Sequence, residues 1–319
     1  MSISFRSVGN ESELEQVMGL MQQANPDSDP QRMAARITKA PNYDLWQTRV
    51  AAENGKIIAA LQIFDRQMWL NGEKIKLAGL GNLSVHPEFK NRFNATELIK
   101  DTLGLLKEFE YPLSVVLTRD NTHYEKFGYF VMPALEYSFD KISGYDTTGV
   151  RPFDRAKDLA EVAKIYEAFN SQRNGPFCRS DQDWENQLQW GNDDASAFWV
   201  LENEGQLNAY VRGRVKQGVV EVLEFGGWKS YASFFRRLLV VMFEELDFHT
   251  AKISLRREEP FFNAAYIPAR QAQDTRMMWA VLDERKLQEN LDMNSAEEVQ
   301  HYLKQLRDFQ ITFWYTDAF

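Results

Sequence analysis

The sequence predicts an α+β protein built from two tandem copies of one mixed-sheet unit, followed by a short helix–strand tail. Three observations carry that prediction. FRSVGNESELEQVMGLM at 5–21 aligns with VRPFDRAKDLAEVAKIY at 150–166. At a constant offset of 145, Arg6 meets Arg151, Leu14 meets Leu159, Val17 meets Val162 and Leu20 meets Ile165. VAAENGKIIAALQIFDR at 50–66 and WVLENEGQLNAYVRGRV at 199–215 then share a strand–turn–strand plan at an offset of 149. Each half finally runs strand, helix, strand, and then further strand.

The elements follow in order. Each half opens on a short strand. The helix after it is acid-rich at its start and carries apolar residues at i, i+3 and i+6, roughly one helical face. Asn54-Gly55 between two apolar runs is a hairpin signal, because both residues accept the positive φ of a tight turn. The second hairpin turns near Asn203-Glu204-Gly205. GEKIKLAGLGNLSVHP and GVVEVLEFGG are the next strands, leading into helices over Ala95–Phe109 and roughly Tyr231–Leu246. PLSVVLT (Pro112–Thr118) and AKISL (Ala251–Leu255) are the strands after those helices. The expected domains are 1–145 and 146–285, joined near Ser143–Gly149, with a tail over 286–319. In the tail, Ser295 and Glu298 form a capping box for a helix ending at Leu306. FQITFWYTDAF reads as a strand, and its Phe309, Ile311, Phe313 and Trp314 require a packing surface.

The net charge of −9 weighs against a general nucleic-acid binder, which carries a basic face. It is compatible with a cationic small substrate. The start, MSISFRSVGNESEL, lacks the basic-then-apolar pattern of a signal peptide. No apolar run approaches the roughly 18 residues a membrane span needs. The single cysteine, Cys178, allows no disulfide within the chain and reads as a small, partly buried side chain. The expectation is therefore a cytoplasmic protein with no membrane or nucleic-acid partner, with homo-oligomerisation left open. His86, His123, His249 and His301 show no zinc-site spacing, so no metal is expected. There is no G-x-S-x-G and no P-loop.

LSVHPEFKNRFNATELIKD at 83–101 reads as a strand ending at Pro87, a polar loop and an amphipathic helix. Unpaired N–H groups at a helix N-terminus carry partial positive charge and bind phosphate. Lys90 and Arg92 add charge. Yet the loop has no glycine, the residue used where backbone approaches a ligand closely. Phe93 either turns outward and leaves the amides available or fills the cradle. Asn94 as N-cap and Glu97 as its capping-box partner start the helix, and a carboxylate there repels a pyrophosphate.

SVHPEFKNR and HYEKFGYF, in that order and on a tandem plan, resemble the GNAT (Gcn5-related) N-acetyltransferases. With Arg179 and Trp184 in RNGPFCRSDQDW, the resemblance narrows to the enhanced-intracellular-survival group and covers about residues 3–283. It implies two GNAT-like acyltransferase folds, acetyl-CoA as co-substrate, and the amine of a small molecule or protein as acceptor. It implies cofactor contacts from Leu83, Ser84 and Val85, from Lys90, Asn91, Arg92, Phe93, Asn94 and Ala95, and from Asn121. The family loop is Arg/Gln-x-x-Gly-x-Gly/Ala. Lys90 and Ala95 match it, and Phe93 replaces the central glycine.

The resemblance also assigns chemistry. The Val85 N–H serves the thioester carbonyl, and Tyr124 protonates the departing thiolate. A tyrosine, with pKa near ~10, holds its proton at neutral pH. The carboxylate of the terminal aromatic residue, Phe319 here, reaches the site near the tyrosine. The family's third, sterol-carrier-type domain is missing, since only 284–319 follows Asp283. The second half has Phe262 opposite Tyr124, and EFGGWKS in place of a basic loop. It therefore reads as a scaffold that shapes the acceptor pocket. Glu53 and Glu73 are candidate bases, His123 a candidate for proton traffic, and Tyr43, Trp46, Phe64 and Trp69 candidate pocket aromatics. The alternative is a catalytically silent GNAT-like protein that binds a ligand or partner.

Overall fold

The computed structural model describes residues 3–319 except 25, 27, 28, 91, 92, 94, 145, 192, 229, 230 and 258–266. The first half contains β1 (Ile3–Ser7), α1 (Glu11–Ala24), α2 (Pro30–Thr38), β2 (Thr48–Glu53), β3 (Lys56–Leu70), β4 (Glu73–Val85), α3 (Thr96–Glu108), β5 (Leu113–Leu117), α4 (Asn121–Glu125), β6 (Phe130–Val131) and β7 (Ala134–Asp140). The second contains β8 (Val150–Pro152), α5 (Arg155–Asn170), α6 (Asp181–Trp190), β9 (Phe198–Asn203), β10 (Gln206–Lys216), β11 (Val219–Gly227), α7 (Tyr231–Leu246), β12 (Thr250–Leu255), β13 (Ala269–Asp274) and β14 (Met277–Val281). The tail contributes α8 (Glu284–Asn290) and α9 (Ala296–Leu306). The α+β class expected from the repeat is what the chain adopts.

One sheet has the order β1-β2-β3-β4-β5-β14-β6 and the other β8-β9-β10-β11-β12-β7-β13. The two orders match position by position, and among the described strands only β4–β5 and β11–β12 pair in parallel. At the sixth position the halves exchange strands. β14 lies between β5 and β6, and β7 lies between β12 and β13. Each sheet therefore draws one strand from across residue 145: β7 from before it joins the second sheet, and β14 from after it joins the first. The connectors 132–133 and 275–276 lack the Asn-Gly type of pair that closes a two-residue hairpin, and they carry the chain from one sheet to the other. β14 is apolar on both faces: Met278 and Ala280 enter one core while Met277 and Trp279 enter another.

The first sheet is covered on both sides. On one face Leu98, Ile99, Leu103 and Leu106 of α3 pack with Leu61, Ile63, Ala78 and Leu80. On the other, Val17, Leu20 and Met21 of α1 pack with Val50, Ala60 and Phe64, and Leu287, Val299 and Leu303 of the tail helices pack with Leu77 and Val115.

The tail departs from its expected form. Ser295 Oγ accepts from the Glu298 N–H at 3.2 Å, but the Glu298 carboxylate is taken by the Asn294 N–H at 2.8 Å, so half of the capping box forms. FQITFWYTDAF is not a strand. Ile311 makes a single bridge with Asn174, and Tyr315–Asp317 is one 3-10 turn. The reason is that adjacent bulky residues serve different cores. Phe313 packs with Leu77 and Trp279 of the first sheet, and Trp314 packs with Phe225 of the second.

Candidate active site

β4 follows β3 as far as Val85, but it pairs with β5 only from Leu77↔Leu113 to Leu80↔Val116. From Gly81 onward the two parallel strands part. A register slip opposite Ala60–Gln62 and a positive φ of 52° at Asn82 mark a bulge there, the device that bends a strand away from its neighbour. His86 N–H donates to Ile58 O at 2.8 Å, and Val85 sits opposite Ala59. In an antiparallel pair, N–H direction alternates along the strand. The Val85 N–H therefore points away from β3, into the gap.

The faces of β4 alternate too. Ala78 and Leu80 face α3, and Gly79 and Gly81 face the opposite side, where the chain ends. A Cβ on Gly79 would stand 2.6 Å from Phe319 Cε1, and one on Gly81 would stand 3.6 Å from the Phe319 carboxyl carbon. The terminal carboxylate thus lies over the first residue of the departed stretch. The Phe319 ring stacks on Phe64 at 5.2 Å and lies parallel to Phe177.

Tyr124 stands on α4, which is capped by Asp120 accepting from the His123 N–H at 3.1 Å. It is half-buried against the α3-side core, edge-on to Tyr129 at 5.6 Å. Burial and then the Asp120 charge push its pKa up, so the hydroxyl stays protonated. Burial and then Lys126 push His123 down, which keeps that ring neutral. Asn121 Nδ2 donates to Thr275 O at 3.2 Å. Asn121 Oδ1 and His123 Nε2 are buried with no hydrogen-bond partner among the described residues. Tyr124 and Phe319 pack against opposite faces of the first sheet.

The loop answers the question of Phe93. Its ring is 9% exposed and belongs to the core with Phe89, Ala95 and Leu98. Its N–H donates to Phe89 O at 2.8 Å. The side chain has turned inward, and its own amide is used. The expected capping box is not the one that starts the helix. Ala95 is the N-cap with no side-chain bond, and Glu97 bonds Lys100 at 3.0 Å instead. The carboxylate that would oppose a phosphate is therefore occupied one turn away. Lys90 is exposed. Asn91, Arg92 and Asn94 lie outside the described residues, as does Phe262 of the second half. Leu83 and Ser84 lie on the departed stretch with Val85.

Arg179 and Trp184 are buried together where the tail crosses the second half. Arg179 donates to Glu224 through Nη1 at 3.1 Å and Nη2 at 2.5 Å, to Asp317 through Nε at 2.9 Å, and to Thr316 Oγ1 at 2.9 Å. Its guanidinium stacks over Tyr166 at 3.9 Å and Trp184 at 4.6 Å. Asp317 also accepts from Gln187 at 2.5 Å and from Tyr166 Oη at 3.3 Å. Burial pushes the Asp317 carboxyl up, whereas burial of Glu224 is outweighed by Arg179 and Arg212, which hold it below the usual range. Arg36 donates to Ala318 O. Burial, with Arg32, Arg66 and Arg214 nearby, lowers Arg36 to about 10, and it stays charged.

Other candidates resolve as follows. Phe64 reaches Phe319. Tyr43 bonds Thr48 at 2.9 Å, Trp46 meets Phe109 edge-on at 4.8 Å, and Trp69 lies under Lys74 at 4.8 Å, each in ordinary packing. Glu73 opens β4 at the end opposite Val85, and Glu53 closes β2 at the first hairpin. Burial pushes the Cys178 thiol up to about 12. A cavity of about 480 Å³ bordered by Arg66, Lys74, Cys178, Arg179 and Asp183 adjoins the Phe319 side of the sheet. Sequence reasoning missed Gly79, Gly81, Glu224 and Asp317. Two glycines inside a strand signal close approach of another group, and LAGLG carried that signal.

Residues 5–132 match a family model described as an acetyltransferase (GNAT) domain. No curated protein matches the sequence significantly. Solved structures share the fold. A GCN5-related N-acetyltransferase from Anabaena variabilis superposes with a TM-score of 0.72 at 15% identity, covering 91% of this chain and 75% of the other. A probable N-acyltransferase from Enterococcus faecalis gives 0.74 at 14% identity, covering 91% and 75%. Eis1 from Mycobacterium abscessus gives 0.64 at 16% identity, covering 88% and 74%. The resemblance to the GNAT-fold acetyltransferases holds in three dimensions.

Proposed function

We propose that the protein is an acyl-CoA-dependent N-acyltransferase that moves an acetyl group from acetyl-CoA to an amine. The observation that carries this reading is the parting of β4 from β5 after Leu80, which opens a slot lined by the Val85 N–H and overhung by the terminal carboxylate. A thioester in the slot meets a donor for its carbonyl oxygen, which gains charge as it is attacked. The amine nitrogen bonds to the carbonyl carbon as the C–S bond breaks. The sulfur takes the Tyr124 hydroxyl proton, and the amine proton passes to the Phe319 carboxylate or to water. The start of α3, where the Ala95 N-cap makes no side-chain bond, suits the pyrophosphate, to which Lys90 adds positive charge. Asn121 Oδ1, buried and without a partner among the described residues, suits a donor on the cofactor. The second half, whose slot is occupied by the tail, acts as scaffold.

A second reading keeps the fold and drops the chemistry. The inward Phe93, with its amide already bonded to Phe89 O, favours it, because one cradle donor is spent. Calorimetric titration with acetyl-CoA and with CoA separates the two. Saturable binding that weakens in Lys90→Ala supports the enzyme, and thiol release with a panel of primary amines then tests turnover. Absence of binding at millimolar acetyl-CoA removes the enzyme reading.

A further inference from the structure

We propose that Arg179 is the positioning residue for the terminal carboxylate, and that the second half's own strand gap serves as the clamp through which it acts. This rests on the reading in which the Phe319 carboxylate takes part in transfer. β11 parts from β12 after Glu221, as β4 parts from β5 after Leu80. Glu224 lies three residues past the last shared rung, the place Leu83 takes in β4. Among the described residues, that gap holds Glu224, fully buried, bonded by Arg179, Thr316 Oγ1 and Tyr210 Oη.

Arg179 faces both ways. One edge of its guanidinium grips Glu224 in the sheet, and Nε and Nη2 grip Asp317 and Thr316 of the tail. The side chains of Arg179, Glu224 and Asp317 are 1%, 0% and 3% exposed. A buried ion left without its counter-ion is strongly unfavourable, so the three are held in one arrangement. Two residues separate Asp317 from the chain end. An extended residue spans about 3.5 Å, so fixing Asp317 confines the Phe319 Cα within roughly 7 Å of it. Gln187 on Asp317 and Arg36 on Ala318 O narrow this further. Gly79 and Gly81 then receive the ring and the carboxyl carbon. A chain end free to swing would not hold a carboxylate over one residue of β4. Positional error of about 1 Å at a reacting group can cost 10²-fold in rate.

The test uses the full chain and two readouts. Carboxypeptidase A removes an accessible terminal aromatic residue, so release of Phe319 reports the latch directly. Release from the wild-type protein is expected to be slow, at least about tenfold faster from Arg179→Lys, and intermediate from Thr316→Val, which loses the hydroxyl's bonds to Arg179 and Glu224 and covers the case in which the first variant does not fold. Equal release rates in Thr316→Val and wild type overturn the proposal. The second readout is transfer from acetyl-CoA to spermidine as probe amine. Arg179→Lys is expected to lower kcat by about 10–100-fold, to leave KM for acetyl-CoA unchanged, and to add nothing in a chain lacking Phe319. Losses that multiply in the double variant overturn the proposal while leaving the enzyme reading intact. Full activity of the chain lacking Phe319 instead overturns the carboxylate's role, and the proposal with it.

Discussion

Gly79 and Phe319 are in direct contact: the terminal ring lies where a side chain at Gly79 would be, 2.6 Å from an added Cβ. The neighbour is a ring stacked on Phe64, so it cannot yield as a flexible chain tip can. Gly79→Ala is therefore expected to push the chain end off β4. Overpacking typically costs about 1–3 kcal/mol, well short of unfolding a domain. Activity should fall by at least about tenfold while thermal unfolding shifts by only a few degrees. Retained turnover in a folded Gly79→Ala protein would show that the seat of the ring does not matter.

Tyr124→Phe removes one hydroxyl and keeps the ring that packs beside Tyr129. Loss of a general acid is expected to lower kcat by about 10²–10⁴-fold. Calorimetry should show acetyl-CoA binding close to wild type, because it is the ring that packs against this core, and the ring is kept. A variant that turns over normally removes Tyr124 from the chemistry.

Much of this architecture was legible because it is periodic. The matched arginines Arg6 and Arg151 do the same job in each copy: Arg6 pairs with Glu13, and Arg151 pairs with Asp158. The hairpin at Asn54-Gly55 forms where its positive φ values are required. The exchange of β7 and β14 was not legible. β14 is apolar on both faces and β7 alternates, with Leu135, Tyr137 and Phe139 on one face, and neither pattern names the sheet that the strand joins. The tail was misread for a related reason. Ile311, Phe313 and Trp314 suggest a strand, yet Ile311 and Phe313 are buried in one core and Trp314 in another, with a single bridge at Ile311 in place of a ladder. The clamp around Arg179 joins residues separated by 45 and 138 positions, and no local spacing announces such a cluster.

Cys178 borders the cavity, which makes it look available for modification. Its thiol pKa of about 12 argues otherwise. Against an ordinary thiol near ~8.5, about 10³-fold less thiolate is present at any pH below both values, and only the thiolate is the nucleophile. Iodoacetamide at pH 8 should label the native protein some 10²–10³-fold more slowly than the urea-unfolded chain. Equal rates, followed by mass spectrometry, would contradict the burial that causes the shift.

Asp274 ties the tail to β13. It accepts from Tyr315 Oη at 2.6 Å, from Ser254 Oγ at 2.8 Å and from Arg276 at 2.7 Å. Burial alone would raise its pKa, but the Arg276 and Tyr315 bonds outweigh burial and hold the carboxyl at about 2. The unfolded value is about 3.9. A folded pKa below the unfolded one means that the carboxylate stabilises the fold above about pH 4. That contribution is lost as the pH falls through about 2, because the unfolded chain binds its proton first. The difference corresponds to about 2–3 kcal/mol at neutral pH. Asp274→Asn should forfeit most of it at pH 7, and its stability should then fall less than the wild type's between pH 4 and 2. Urea unfolding at pH 7, 4 and 2.5 measures both effects. Parallel stability curves for the two proteins across that window would mean that Asp274 carries no charge-dependent share, and that the tail is held by Arg179 and packing alone.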